Sequence, residues 1–380
     1  MSPRIFVIGL LMLWMPFLKA QTLPGTISLT RTGANGADVQ LKFPSISGQN
    51  YRVFSSPALT TGTWLDTNIT GAGNGGELTL VVPNAGGPTR QFFRLSVSSG
   101  LSSGFVSIPE GTFLMGDQSL PTEGAPAELP VISVSTRSFQ MQATEVTKSQ
   151  WDTTYTWALS NGYTFANAGL GVAANHPVHT VSWYDAVKWC NARSEQESLQ
   201  PCYYVNSLLY RTGTPTSVRW EPTANGYRLP TEAEWEKAAR GGAVGQRFPF
   251  GPTITHSRAN YVANTALPYD NNPVNGPHPA WERPATPYTS PVGNFAANGY
   301  GLHDMAGNVL EWCWDRPSSN YSEGYTIDLT SASSSFLRSL RGGSWLGQAS
   351  VARTSRRGSA FPDTGRGNDV GFRLVRGALN

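Results

Sequence analysis

The chain has 380 residues, enough for about two or three domains and a sizeable core. Charged residues make up only 14% and the net charge is +3, too weak a balance to point to nucleic acid, and no block of like charge marks a tail. With 40 Gly, 27 Pro and 12 Trp, the composition suits a loop-rich globular protein with an aromatic interior.

Residues 1–20 read as a signal peptide. Arg4 gives a positive start, Ile5 to Leu18 form an apolar run, and Ala20 is a plausible last residue before cleavage. The run is short for a membrane span, and nothing downstream reads as one. The expectation is a secreted or periplasmic protein with no transmembrane segment after cleavage. Export permits disulfides. The three cysteines are Cys190, Cys202 and Cys313. Cys190 and Cys202 are the natural pair, one in a predicted helix and the other just past its end. No cysteine spacing matches a zinc site.

Residues 21–97 read as a small all-β sandwich module. "TISLTR", "ADVQLKF", "NYRVFSS", "ELTLVV" and "QFFRLSV" alternate apolar and polar residues between Gly, Pro and Asn clusters. The pattern resembles fibronectin type III modules of bacterial secreted proteins and carries no catalytic constellation. Residues 98–104, "SSGLSSG", form a linker, and a second domain spans 105–380.

That domain shows few regular elements for its size. A helix is predicted over 182–196, capped by Ser182, with Trp183, Ala186, Val187 and Cys190 on one face. Another follows at 229–242, with Thr231 and Glu234 as a capping box and a Gly pair as its stop. A third is expected within 146–162. The remainder reads as strand fragments and long loops, which call for a function or a metal to hold them.

Ordered motifs then accumulate: "IPEGTFLMGD" from Ile108, "EVTKSQW" from Glu145, "PVHTVSWYDAVKWCN" from Pro177 and "GYRLPTEAEWEKAARGG" from Gly226. "NGYGLHDMAGNVLEWCWD" from Asn298, "LRGGSW" from Leu340 and "NDVGFRLVR" from Asn368 complete the set. In this order they resemble the formylglycine-generating enzyme, or sulfatase-modifying-factor, family over about residues 105–377. The resemblance implies an α+β fold, a complex C-type-lectin-like domain with calcium pinning its loops. Carried over, one calcium site would take side-chain oxygens from Asp304 and Glu311 and carbonyls from Gly307 and Val309, a donor set suited to a hard cation. Taken without the resemblance, these residues read as a capped turn. A second site would use Asn260 and the Tyr261 carbonyl, but the downstream Asp position falls at Pro284, and Asp270 is out of register.

The oxidising members of the family hold copper with two of their own cysteines, as soft thiolates do. Those positions are Gly347 and Ala352 here, and the pocket Trp of the calcium motif is Leu310. Copper is therefore not expected, and no catalytic residue is assigned. Among the five histidines, His176 and His179 flank Pro177 in an extended stretch, with no further ligand spacing that makes a metal site. The expectation is a calcium-stabilised binding or structural module. Its groove would be lined by Ser344, Trp345, Arg353 and Arg356, with Arg357 close by, and its ligand would be a peptide or protein. Two alternatives stay open: a family enzyme with another metal or substrate, and a divergent formylglycine-generating oxidase. The arginines also admit a plainer reading as ion-pair partners.

Overall fold

The computed structural model describes residues 28–32, 38–45, 49–56, 65–72, 76–83, 92–99, 104–119, 123–318 and 335–377. The expected leader at 1–20 lies outside them. The chain divides into two compact units, Met1–Ser103 with Asn380, and Gly104–Leu379.

The first unit holds two antiparallel three-stranded sheets. One orders Ser28–Thr32, Asp38–Pro44 and Glu77–Val82; the other places Gln49–Ser56 between Leu65–Ala72 and Phe92–Ser99. Period-two alternation makes the sandwich: Val39, Leu41 and Phe43 point inward with Leu80 and Val82, and meet Tyr51 and Val53 of the other sheet. Phe43 and Tyr51 close the gap with ring centroids 4.9 Å apart. The strand Leu65–Ala72, "LDTNITGA", has no apolar alternation, so sequence reasoning does not see it.

The second unit is the α+β, C-type-lectin-like domain. Its helices are α1 (Lys148–Leu159), α2 (Trp183–Gln196) and α3 (Glu232–Arg240). Each starts with a reciprocal capping box: Thr147 with Gln150, Ser182 with Asp185, and Thr231 with Glu234. The expected apolar face of α2 is buried, but so are Asp185, Lys188, Asn191 and Ser194 on its other sides. Partners allow it. Asn191 spans the Tyr203 and Tyr210 carbonyls, and Lys188 Nζ lies 2.6 Å from the Thr164 carbonyl. Trp151 of α1 and Trp189 of α2 stack at 5.9 Å, with Phe372 edge-on to both.

Cys190 and Cys202, expected as a disulfide, are both free thiols buried in this aromatic core. They serve as small apolar side chains, and burial pushes the Cys202 thiol up to about 12. Among the described residues no helix is long and apolar enough to cross a membrane.

Two four-stranded sheets frame the site. One runs Tyr227–Arg228, Val375–Arg376, Phe139–Gln142, Phe105–Ile108. The other runs Gly358–Ala360, Arg338–Arg341, Leu310–Trp312, Val370–Gly371, its last pairing parallel.

Candidate functional site

The strand Arg338–Arg341 ends at Gly342 and Gly343, with φ of +93° and +73°. A side chain at either would strain the turn. At Gly343 a Cβ would also press 2.9 Å from the Ala352 backbone. The turn carries the chain into a groove of about 350 Å3 on the sheet face. Leu310, Leu340 and Val351 give it apolar walls, while Ser344, Asp369 and Arg356 supply polar groups. Ser344 Oγ donates to Asp369 Oδ2 at 2.9 Å.

Backbone bonds staple the groove to the neighbouring loop. Gly307 N donates to the Gly342 carbonyl at 2.8 Å, and Trp345 N to that of Asn308 at 2.9 Å.

Two residues expected to line the groove do not. Trp345 is 3% exposed, its indole N–H directed at the Asn368 carbonyl and its ring against Tyr288. It is a pillar behind the wall. Arg353 turns away into a bidentate pair with Glu128 at 2.8 and 2.9 Å, and Arg357 pairs likewise with Glu232. A buried guanidinium needs a carboxylate, and these arginines find theirs beneath the groove. The plainer ion-pair reading therefore describes Arg353 and Arg357, in buried rather than surface form. Ser344 and Arg356 remain on the lining.

The same principle builds a wider framework. Arg341 Nη2 reaches Glu236, Arg240 also binds Glu236, and Arg228 clamps Glu234 with two bonds of 2.6 Å. The neighbouring arginines hold the Glu128, Glu232 and Glu236 carboxyls below their usual range although burial opposes them.

The groove does not fit copper. Its lining has no cysteine, and all three thiols are buried elsewhere. Cys313 sits in an apolar cluster with Trp235 and Met305, and burial pushes its thiol well up. A side chain at position 347 would run into Val351 Cγ2, and Ala352 is packed behind Gly343. No soft donor reaches the wall.

The expected calcium loop is only partly available. Glu311 gives both oxygens to Arg373, at 2.7 Å each, and its Oε2 also accepts from Trp235 Nε1. The carboxylate is thus already neutralised. Asp304 differs: Oδ2 accepts from Gly293 N, while buried Oδ1 has no hydrogen-bond partner.

Glu145, which sequence reasoning did not single out as a ligand, is in the same state. Its Oε1 accepts from Asn308 Nδ2 and its buried Oε2 is unpartnered. Burial pushes both carboxyls up, and the nearby Asp304 charge raises Glu145 further. Oxygens buried and unpaired in this way fit a hard cation, with Asp304 and Glu145 as its carboxylates. Gly307 turns the loop at φ +84° and Val309 leads into the strand at Leu310. Among the described residues no three metal-ligating His, Cys, Asp or Glu side chains gather, so backbone oxygens would have to complete any such shell.

The second expected calcium site is likewise only partly available. Asn260 donates Nδ2 to the Tyr288 carbonyl and leaves a buried Oδ1 without a hydrogen-bond partner, while the Tyr261 carbonyl accepts from His256 Nε2 at 3.0 Å. Asp270 is held by the Tyr261 hydroxyl and Asn264 N, both at 2.7 Å. His176 and His179 do not form a pair of ligands either: His176 Nδ1 meets Thr289 and His179 Nδ1 meets Thr180.

Lectin-like topology, a groove set on loops and a buried framework of glutamate–arginine pairs define a C-type-lectin-like domain of the sulfatase-modifying kind. Residues 96–378 match the family described as "Sulfatase-modifying factor enzyme 1-like domain", and the chain belongs to that family. It is 33% identical over 306 residues to the formylglycine-generating enzyme of Streptomyces coelicolor, covering 72% of this chain and 90% of that protein. It is 37% identical over 217 residues to "Chaperone protein LppX" of Paenibacillus barcinonensis, covering 53% and 69%. Among solved structures, Treponema denticola variable protein 1 superposes with a TM-score of 0.56 at 26% identity, covering 76% and 96%.

Proposed function

We propose that this chain is an exported, calcium-stabilised member of the family that binds a protein or peptide partner in its groove and does not oxidise cysteine. The observation that carries the reading is the groove wall itself. Gly347 and Ala352 stand where the resemblance places the copper thiolates, and the lining retains shape and polarity without a soft donor. A relative named as a chaperone supports binding as a use of this domain. Calcium, held by Asp304 and Glu145, would fix the loop that staples the groove. Export rests on the apolar run Ile5–Leu18 behind Arg4.

The test is direct. Purified chain is incubated with a cysteine-containing sulfatase peptide, oxygen and Cu(I), and the peptide is weighed by mass spectrometry. The thiol is expected to survive unchanged. Conversion to formylglycine would overturn the reading, and stoichiometric iron or copper in protein purified without chelator would favour an enzyme of another kind.

A further inference from the structure

We infer that the groove recognises a carboxylate on its partner, and that Arg356 is the residue that reads it. This rests on the binding function proposed above.

Four arginines border this stretch: Arg341, Arg353, Arg356 and Arg357. Three of them are committed. Arg341 is fully buried against Glu236 and the Thr354 and Ser355 carbonyls. Arg353 holds Glu128 with both ends of its fork, and Arg357 does the same to Glu232.

Arg356 differs in exposure and in pairing. Its side chain is 35% exposed on the groove lining, and its one carboxylate contact among the described residues is 3.5 Å from Nη1 to Glu128 Oε1. That carboxylate is already occupied by Arg353, Ser355 Oγ and Ala125 N. Asp117 lies 3.8 Å from Arg353 Nη1, and Ser119, Glu123 and Gly124 claim its oxygens. Arg356 therefore presents a guanidinium fork whose charge is poorly met from within, in a geometry that suits a carboxylate.

The rest of the lining says what carries that carboxylate. Gly347 and Gly358 are half-buried and bring backbone to the lining, so a chain can lie close there, and Leu346 at 58% exposure offers an apolar rim. Asp369 is the lining's own negative charge. It disfavours a run of acids and selects a single Asp or Glu among small or apolar neighbours. The occupant is thus a protein segment with an isolated acidic side chain.

The experiment pans a phage-displayed random dodecapeptide library on the immobilised full chain. Groove-dependent peptides are those that weaken on Leu346→Asn, a change at an exposed side chain. These peptides are expected to share an isolated Asp or Glu. Arg356→Ala should weaken them by about tenfold or more, as expected when a charged hydrogen bond is lost. Arg356→Lys should keep part of the affinity, and panning on Arg356→Glu should select Lys or Arg instead. Groove-dependent peptides without an acidic preference, or indifferent to Arg356→Ala, would overturn this inference and leave the binding function standing. If no groove-dependent peptide emerges, both fall.

Discussion

The floor beneath the groove and the lining of the groove come from the same stretch of chain and follow opposite rules. Below, Arg353 and Arg357 meet Glu128 and Glu232 in buried pairs, and Arg341, where the floor reaches the lining, meets Glu236. On the lining, Arg356 stays half-open, and Gly347 stands where the family resemblance places a thiolate. A buried charge left alone is heavily penalised, so the floor tolerates little change. An exposed lining carries no such penalty and can exchange its chemistry while the scaffold persists. That is how a scaffold can persist while the side chains on its groove change.

The largest way to break this contrast is in the buried ion pairs, of which Arg373 with Glu311 is fully enclosed. Arg373→Leu leaves Glu311 buried without its cation and should cost about 3–5 kcal/mol, read as a collapse of the thermal melt. Removing calcium comes next. Chelation should lower the melting temperature, by the equivalent of about 3 kcal/mol where calcium stood a hundredfold above its Kd. The double variant Glu145→Gln with Asp304→Asn should no longer respond. An unchanged melt of the unaltered chain in chelator would remove calcium from the account.

Acid should act more gently. Burial holds His176, His179, His256 and His278 below their ordinary value, with His179 at about 4. The unfolded chain takes up these protons first, near pH 6.5. Stability is therefore fully present above that pH and declines as pH falls toward 4. His179→Gln should flatten the decline in pH-resolved denaturant melts; an unaltered slope would show that His179 does not contribute. The smallest effect belongs to the lining: Leu346→Asn should shift stability by less than about 0.5 kcal/mol while weakening partner binding.

Helices and most sandwich strands are legible in the sequence because caps and period-two alternation are local signals. Thr147, Ser182 and Thr231 mark their helices from side chains a few residues apart. The strand Leu65–Ala72 escapes because its place is set by pairing with Gln49–Ser56 rather than by its own apolar content. The all-round burial of α2 escapes because Lys188 and Asn191 are satisfied by backbone far along the chain.

The site follows the same division. Ser344 is announced by the glycine pair before it. Glu145 as a partner of Asp304 is not, because its meeting with Asn308 spans 163 residues of sequence. Arg353 and Arg356 look alike as letters, and only the position of Glu128 tells the saturated one from the exposed one.

The strand Phe139–Gln142 has a wider consequence. Phe105–Ile108 pairs along one of its edges and Val375–Arg376 along the other, both antiparallel, so the first and last strands of the second unit run parallel to each other with one strand between them. A domain closed in this manner behaves as a cassette. It can be permuted by a linker that crosses the strand Phe139–Gln142 from position 376 to 105, and opened at an exposed loop, without drawing on the groove. Modular architectures can acquire, move or duplicate such a unit while leaving its groove untouched.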